Sequence, residues 1–154
     1  MPRYAANTTV SAEKSRIEIE RTLKRYGATN FASGFRERLA FMMFTVDDRT
    51  YRLNMPLPER SGFTLTPTGK PRAADATNRA FEQAERQRWR ALALYVKAVL
   101  EAVEADITTF EEALLAYLAL PDGTTVGAVV QRQIAEAYDR GRPVLLLLGD
   151  NDAD

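Results

Sequence analysis

The sequence predicts an α+β fold: a small antiparallel sheet of three to five strands, packed by one long helix and two to three shorter helices. Three observations lead there. Three strand-like runs, residues 30–35, 38–46 and 49–55, follow one another closely, and Tyr51, Leu53 and Met55 alternate with Arg52 and Asn54 as on a strand with one wet face. From Asp75 to about Ala105, Phe81, Ala84, Leu92, Tyr95, Val96, Val99 and Val103 gather on one side at helical spacing. Between these regions, residues 56–72 hold four prolines and two glycines and read as a loop or arm within one domain. A length of 154 residues suits a single domain with one core, spanning 1–154.

The elements follow in order. Residues 1–10 form an N-terminal arm. Ser11 is placed to cap a helix that Gly27 ends, with Ile19, Leu23 and Tyr26 along one face and Glu20 paired to Lys24 at i,i+4. Asp47-Asp48 occupies the hairpin turn before the strand at 49–55, while strand 38–46 is apolar on both faces, which marks a central strand or one covered by another subunit. Phe63 and Leu65 of the proline-rich loop are able to tuck back or reach a partner. Asp75 is the expected cap of the long helix, and Thr108 with Glu111 fits a capping box for a helix reaching about Tyr117. A turn at Pro121-Asp122-Gly123 precedes a last helix, from about Thr125 to Gly141. Residues 144–148, "VLLLL", read as an added strand or docking tail, and 149–154 as an acidic tail.

Composition closes many chemistries. With no cysteine and no histidine, disulfides, thiolate nucleophiles, Ser-His triads and Cys/His zinc sites are excluded. No cofactor motif is present: Gly69-Lys70 lacks the rest of a phosphate-binding loop. Glu101, Glu104 and Asp106 at one helix end, with Glu111 and Glu112 at the next start, are candidates for the carboxylate-held metal site that a metal-dependent hydrolase would need, although Glu111 and Glu112 have a sufficient reason in the helix dipole. No stretch is long and apolar enough to cross a membrane, and the first residues lack the apolar core of a signal peptide, so a cytosolic location is expected.

The net charge of zero conceals an asymmetry. Residues 1–98 carry 18 Lys and Arg against 10 Asp and Glu; residues 99–154 carry 3 against 11. On the long helix Arg79, Arg86, Arg90 and Lys97 fall within about 40° of one line, a cationic stripe spaced to meet phosphates or the solvated side of an amphipathic helix. The run "RQRWR" therefore does not act as a unit: Arg86 and Arg90 point outward, Arg88 lies beside the buried face, and Trp89 belongs to the core. Arg49 and Arg52 of the hairpin are secondary candidates for phosphate contact.

The segments "YAANTTVSAEKSRIEIERTLKRYGA" and "RQRWRALALYVKAVLEAVEADITTFEEALLAYLALPDGTTVG", with the closing "IAEAYDRGRPVLLLL", resemble a family of small uncharacterised proteins encoded by tailed bacteriophages and prophages. The likeness covers nearly the whole length. Where the family carries an aromatic-Gly-Trp run, this chain reads Phe31-Ala32-Ser33-Gly34-Phe35, so no role of that tryptophan carries over. The resemblance implies a phage origin and expression in a bacterial host cytoplasm; it transfers no site. The leading expectation is a non-enzymatic accessory protein that binds DNA or RNA through Arg79, Arg86, Arg90 and Lys97 during replication or recombination. The alternative is a module directed at a host protein, such as an inhibitor of a bacterial enzyme or defence system. A homo-oligomer is expected in either case, from the apolar strand and tail.

Overall fold

The computed structural model, described over residues 5–141, orders its elements as α1 (Ala12–Arg25), β1 (Thr29–Arg36), β2 (Leu39–Val46), β3 (Arg49–Pro56), α2 (Ala74–Glu104), α3 (Phe110–Leu114) and α4 (Val126–Arg140). Short 3-10 turns occupy Arg60–Phe63 and Leu115–Tyr117. The expected tail strand at 144–148, the acidic tail at 149–154 and the first four residues of the arm lie outside the described residues.

The three strands form an antiparallel meander with β2 in the middle, so the run that is apolar on both faces is the central strand. Its two neighbours are joined to it by two-residue turns. Asp47 and Asp48 both adopt positive φ, 47° and 61°, as a primed hairpin turn demands, and short polar side chains tolerate that region better than most. Between Thr29 and Ala32 the β1–β2 register shifts, with Asn30 at φ 53°, and the edge strand bulges there.

One face of the sheet is buried. Ala40, Met42, Phe44 and Val46 of β2 and Tyr51, Leu53 and Met55 of β3 pack against Ile19 and Leu23 of α1, Trp89, Ala93, Val96 and Leu100 of α2, and Leu114 of α3. Phe44 sits at the centre: its ring stacks on Tyr51 at 5.7 Å and on Phe31 at 6.2 Å, and meets the edge of Phe110 at 6.5 Å. The result is two layers, a sheet under a pair of helices. The other sheet face is half-open along Leu39, Phe41 and Met43.

Four local expectations require correction. The buried line of α2 is Trp89, Ala93, Val96 and Leu100, whereas Tyr95, assigned to the buried side, is 39% exposed and meets Tyr117 edge-on at 6.2 Å. The line is rotated because α1 covers a second side of α2, so the apolar stripe seen in the sequence spans only part of what is buried. Asp75 does not cap this helix; Ala73 is the N-cap without a side-chain bond, and Asp75 stands in the first turn, where its charge favours the helix dipole. The capping box is Thr109 and Glu112, one residue beyond Thr108 and Glu111, and α3 stops at Leu114 before a 3-10 turn. Finally, α4, expected among the shorter helices that pack the sheet, keeps the Thr125 cap and left-handed Gly141 end but buries no residue. Its first turn lies so close to the preceding segment that a Cβ on Gly127 would stand 2.8 Å from the Ala116 carbonyl oxygen.

The proline-rich loop is folded back. Phe63 meets Phe81 of α2 edge-on at 6.1 Å, and the Arg72 guanidinium donates to the Phe63 carbonyl at 3.0 Å. Leu65 remains exposed.

The Thr109 box gives a pH-dependent stability contribution. The Thr109 N–H donates to the Glu112 carboxylate at 3.1 Å, the Thr108 hydroxyl donates at 3.3 Å, and Thr109 Oγ1 accepts from the Glu112 N–H. The bond from the Thr109 backbone, then those from the hydroxyls, hold the Glu112 carboxyl below its usual 4.5. A depressed acid stabilises the fold above its unfolded value and loses that contribution as pH falls through the folded one. Glu112→Ala is therefore expected to melt below the native chain at pH 7, and the gap between the two melting temperatures to narrow as pH falls below 4.5, read by thermal unfolding across pH 3 to 7.

Candidate nucleic-acid interface

Two of the cations singled out on α2, Arg90 and Lys97, stand where α2 meets α1. The two helices run parallel, because their contacts advance together along both: the Gln83 amide donates to the carbonyls of Ala6 and Thr8, both at 3.0 Å, Arg90 pairs with Glu18 at 2.5 Å, and the Tyr26 hydroxyl donates to the Leu100 carbonyl at 3.1 Å and the Glu104 carboxylate at 2.8 Å. Small buried residues of α1, Ser15 and Thr22, allow the approach.

Each candidate has a definite place. Arg79 and Lys97 are exposed. Arg86 is half-buried, with its Nε and a terminal nitrogen donating to the Gln83 side-chain oxygen at 3.1 and 2.6 Å. Arg90 is also half-buried, its side chain 24% exposed and held by Glu18. Lys97 lines a cleft of about 220 Å³ between the helices, together with Thr22, Arg25, Tyr26, Leu100, Glu101 and Glu104. The three arginines of "RQRWR" go three ways: Arg86 to Gln83, Arg88 to the Pro56 carbonyl, and Arg90 to Glu18, around a Trp89 that is buried in the core.

α1 adds charges to this junction that the pattern of α2 alone does not show. At 100° per residue, Lys14, Glu18, Arg21 and Arg25 lie within about 60° of one line. Glu18 in that line touches Arg90, and Arg25 shares the cleft with Lys97, so the α1 cations border those of α2. The i, i+4, i+7, i+11 spacing was the signal available. At the junction the structure brings together Arg25 and Lys97, which share the cleft with Glu101 and Glu104, and Arg90, which is held by Glu18; Glu104 in turn accepts from Tyr26. The bond to Glu104, which favours the protonated phenol, is the main cause that raises the pKa of Tyr26.

Arg49 and Arg52 are not part of that face. Arg49 pairs with Glu111 at the start of α3. Arg52 lies on the opposite, open side of the sheet, paired in register with Met43, and its Nε is buried with no hydrogen-bond partner.

The carboxylates considered for a metal do not gather: Glu101 and Glu104 share the cleft between the helices, Glu104 accepting from Tyr26, while Glu111 binds Arg49 and Glu112 closes the Thr109 box. Among the described residues no three acids gather as a metal site. No helix among them is long and apolar enough to cross a membrane. Comparison with protein-family models, with curated proteins and with solved structures returns no match.

Proposed function

We propose that this protein is a phage-encoded accessory factor that binds nucleic acid through the phosphate backbone, using the cationic face shared by α1 and α2, inside a bacterial host. The observation that carries the reading is the junction itself: Arg25 and Lys97 converge on one cleft while Arg90 is held beside it by Glu18. Two helices in fixed relation present a broader array of positive charge than one, and ion pairing to Glu18 orders Arg90 before any ligand arrives. Contacts of this kind position a backbone without reading bases. Glu101 and Glu104 of the acidic segment line the same cleft, and the net charge of zero leaves attraction to the exposed cations around it.

The test is fluorescence anisotropy with a labelled DNA duplex at about 50 and 200 mM salt. Binding is expected at the lower concentration and a steep loss at the higher, as counterion release requires. Absence of binding at the lower concentration would remove this reading. A second reading, docking on a host protein, is favoured by α4, whose Ile134 and Tyr138 stand exposed, Tyr138 at 86%. Its mark is a stoichiometric protein partner from host lysate that survives nuclease treatment and is lost in Ile134→Asp/Tyr138→Asp.

A further inference from the structure

The open face of the sheet carries a site of different chemistry. Its central side chains are Leu39, Phe41 and Met43 of β2, flanked in register by Arg36 of β1 opposite Leu39 and by Arg52 of β3 opposite Met43. Gly34 pairs with Phe41. A Cβ on Gly34 would fall 3.0 Å from Cζ and 3.1 Å from Cε1 of the Phe41 ring, so the ring leans across β1 and its tip lies over the glycine. Any larger residue at position 34 would push it up. The ring is half-exposed in this posture.

Arg36, Phe41 and Arg52 form a diagonal across the three strands, with successive Cα positions about 8 Å apart from strand spacing and rise. The strand positions of this face carry no carboxylate; acids stand only at its two ends, Glu37 and Glu59 beside Arg36 and Leu39, and Asp48 beside Arg52 and Met43. An aromatic ring set between two arginines suits a planar base over the ring with phosphates on either side. A flat apolar protein surface would offer neither guanidinium a new anion and would leave the buried Nε of Arg52 without a partner.

We infer that this face binds an unpaired nucleic-acid strand, with Phe41 stacking on a base and Arg36 and Arg52 taking the flanking phosphates. A duplex hides its base faces in the stack, so the site selects single strands. The inference does not rest on the helix face, which takes the backbone of a duplex as well.

The experiment uses the full chain and a short fluorescein-labelled oligothymidylate, with a labelled duplex in parallel. Phe41 is outside the buried core, so Phe41→Ala is expected to keep the native melting temperature. It should weaken oligothymidylate binding about tenfold or more while leaving duplex binding unchanged. Phe41→Trp should retain binding, and Gly34→Val, which displaces the ring, should behave like Phe41→Ala. Arg25→Glu/Lys97→Glu should lower duplex binding, which separates failure of the helix face from failure of this one. Oligothymidylate binding that is absent, or equal in Phe41→Ala and the native chain, overturns the inference. A shift from dimer to monomer in Phe41→Ala with unchanged oligothymidylate affinity also overturns it, and assigns the face to a second copy of the chain.

Discussion

Phe44→Ala is expected to lower stability by about 3–5 kcal/mol, the range for deleting a buried aromatic ring. The side chain is 0% exposed and touches a ring on each side, Tyr51 and Phe31 stacked, Phe110 edge-on. Removal therefore leaves a cavity and breaks aromatic contacts from β1, β3 and α3 at once, and the surrounding rigid strands have little room to collapse into it. Domains of this size are held by about 5–15 kcal/mol, and a loss of 1 kcal/mol lowers the melting temperature by about 2–4 °C. Calorimetry should thus find a fall of roughly 6–20 °C, with a broad pretransition if the sheet loosens first. Phe44→Leu keeps most of the volume and should cost far less. A loss below about 1 kcal/mol in Phe44→Ala would mean that the helices do not cover this face of the sheet.

Much of this architecture is legible in the sequence because it is local. The hairpin at Asp47-Asp48, the caps at Ser11 and Thr125 and the stops at Gly27 and Gly141 all depend on backbone conformations that one or two residue types favour. The centrality of β2 follows from apolar residues on both sides of one strand. The rotation of α2 is not local. It depends on α1 lying beside it, and the stripe of Phe81, Ala84, Leu92 and Tyr95 gives no sign of a neighbour whose contact is polar, through Gln83, Arg90 and Tyr26. For the same reason the charges at the junction are only partly legible: Arg79, Arg86, Arg90 and Lys97 are collinear on one helix, but Arg25 meets Lys97 and Glu18 meets Arg90 only through tertiary packing. The capping box was displaced by one position because Thr108 and Thr109 both stand three residues before a glutamate. Arg52 was grouped with Arg49 by proximity in sequence, although strand alternation sends neighbouring odd and even positions to opposite faces.

Replacing Arg79, Arg86, Arg90 and Lys97 together with alanine is expected to remove most of the salt dependence of duplex binding. Each phosphate contact contributes about 0.9 to the slope of log affinity against log salt, so four contacts give a slope near −3.6 and a loss of about 150-fold between 50 and 200 mM. The variant should bind weakly at both concentrations, with the residual slope set by Lys14, Arg21 and Arg25. The members of the set are not equal. Arg79 and Lys97 are exposed, so each alone should subtract about one unit of slope or less without touching stability. Arg90 is half-covered and its loss leaves Glu18 unpaired, so some of its effect is repulsion by a bared carboxylate. Glu18→Gln separates the two: it releases Arg90 without adding negative charge, and should bind the duplex at least as tightly as the native chain if Arg90 meets phosphate. If the fourfold alanine variant keeps native affinity at low salt, the cations serve only to seat α1 on α2, and nucleic acid has no part in this face. The pattern across the single variants then decides whether the stripe is a packing device, in which Arg86 and Arg90 matter for melting temperature, or a binding surface, in which Arg79 and Lys97 matter for affinity.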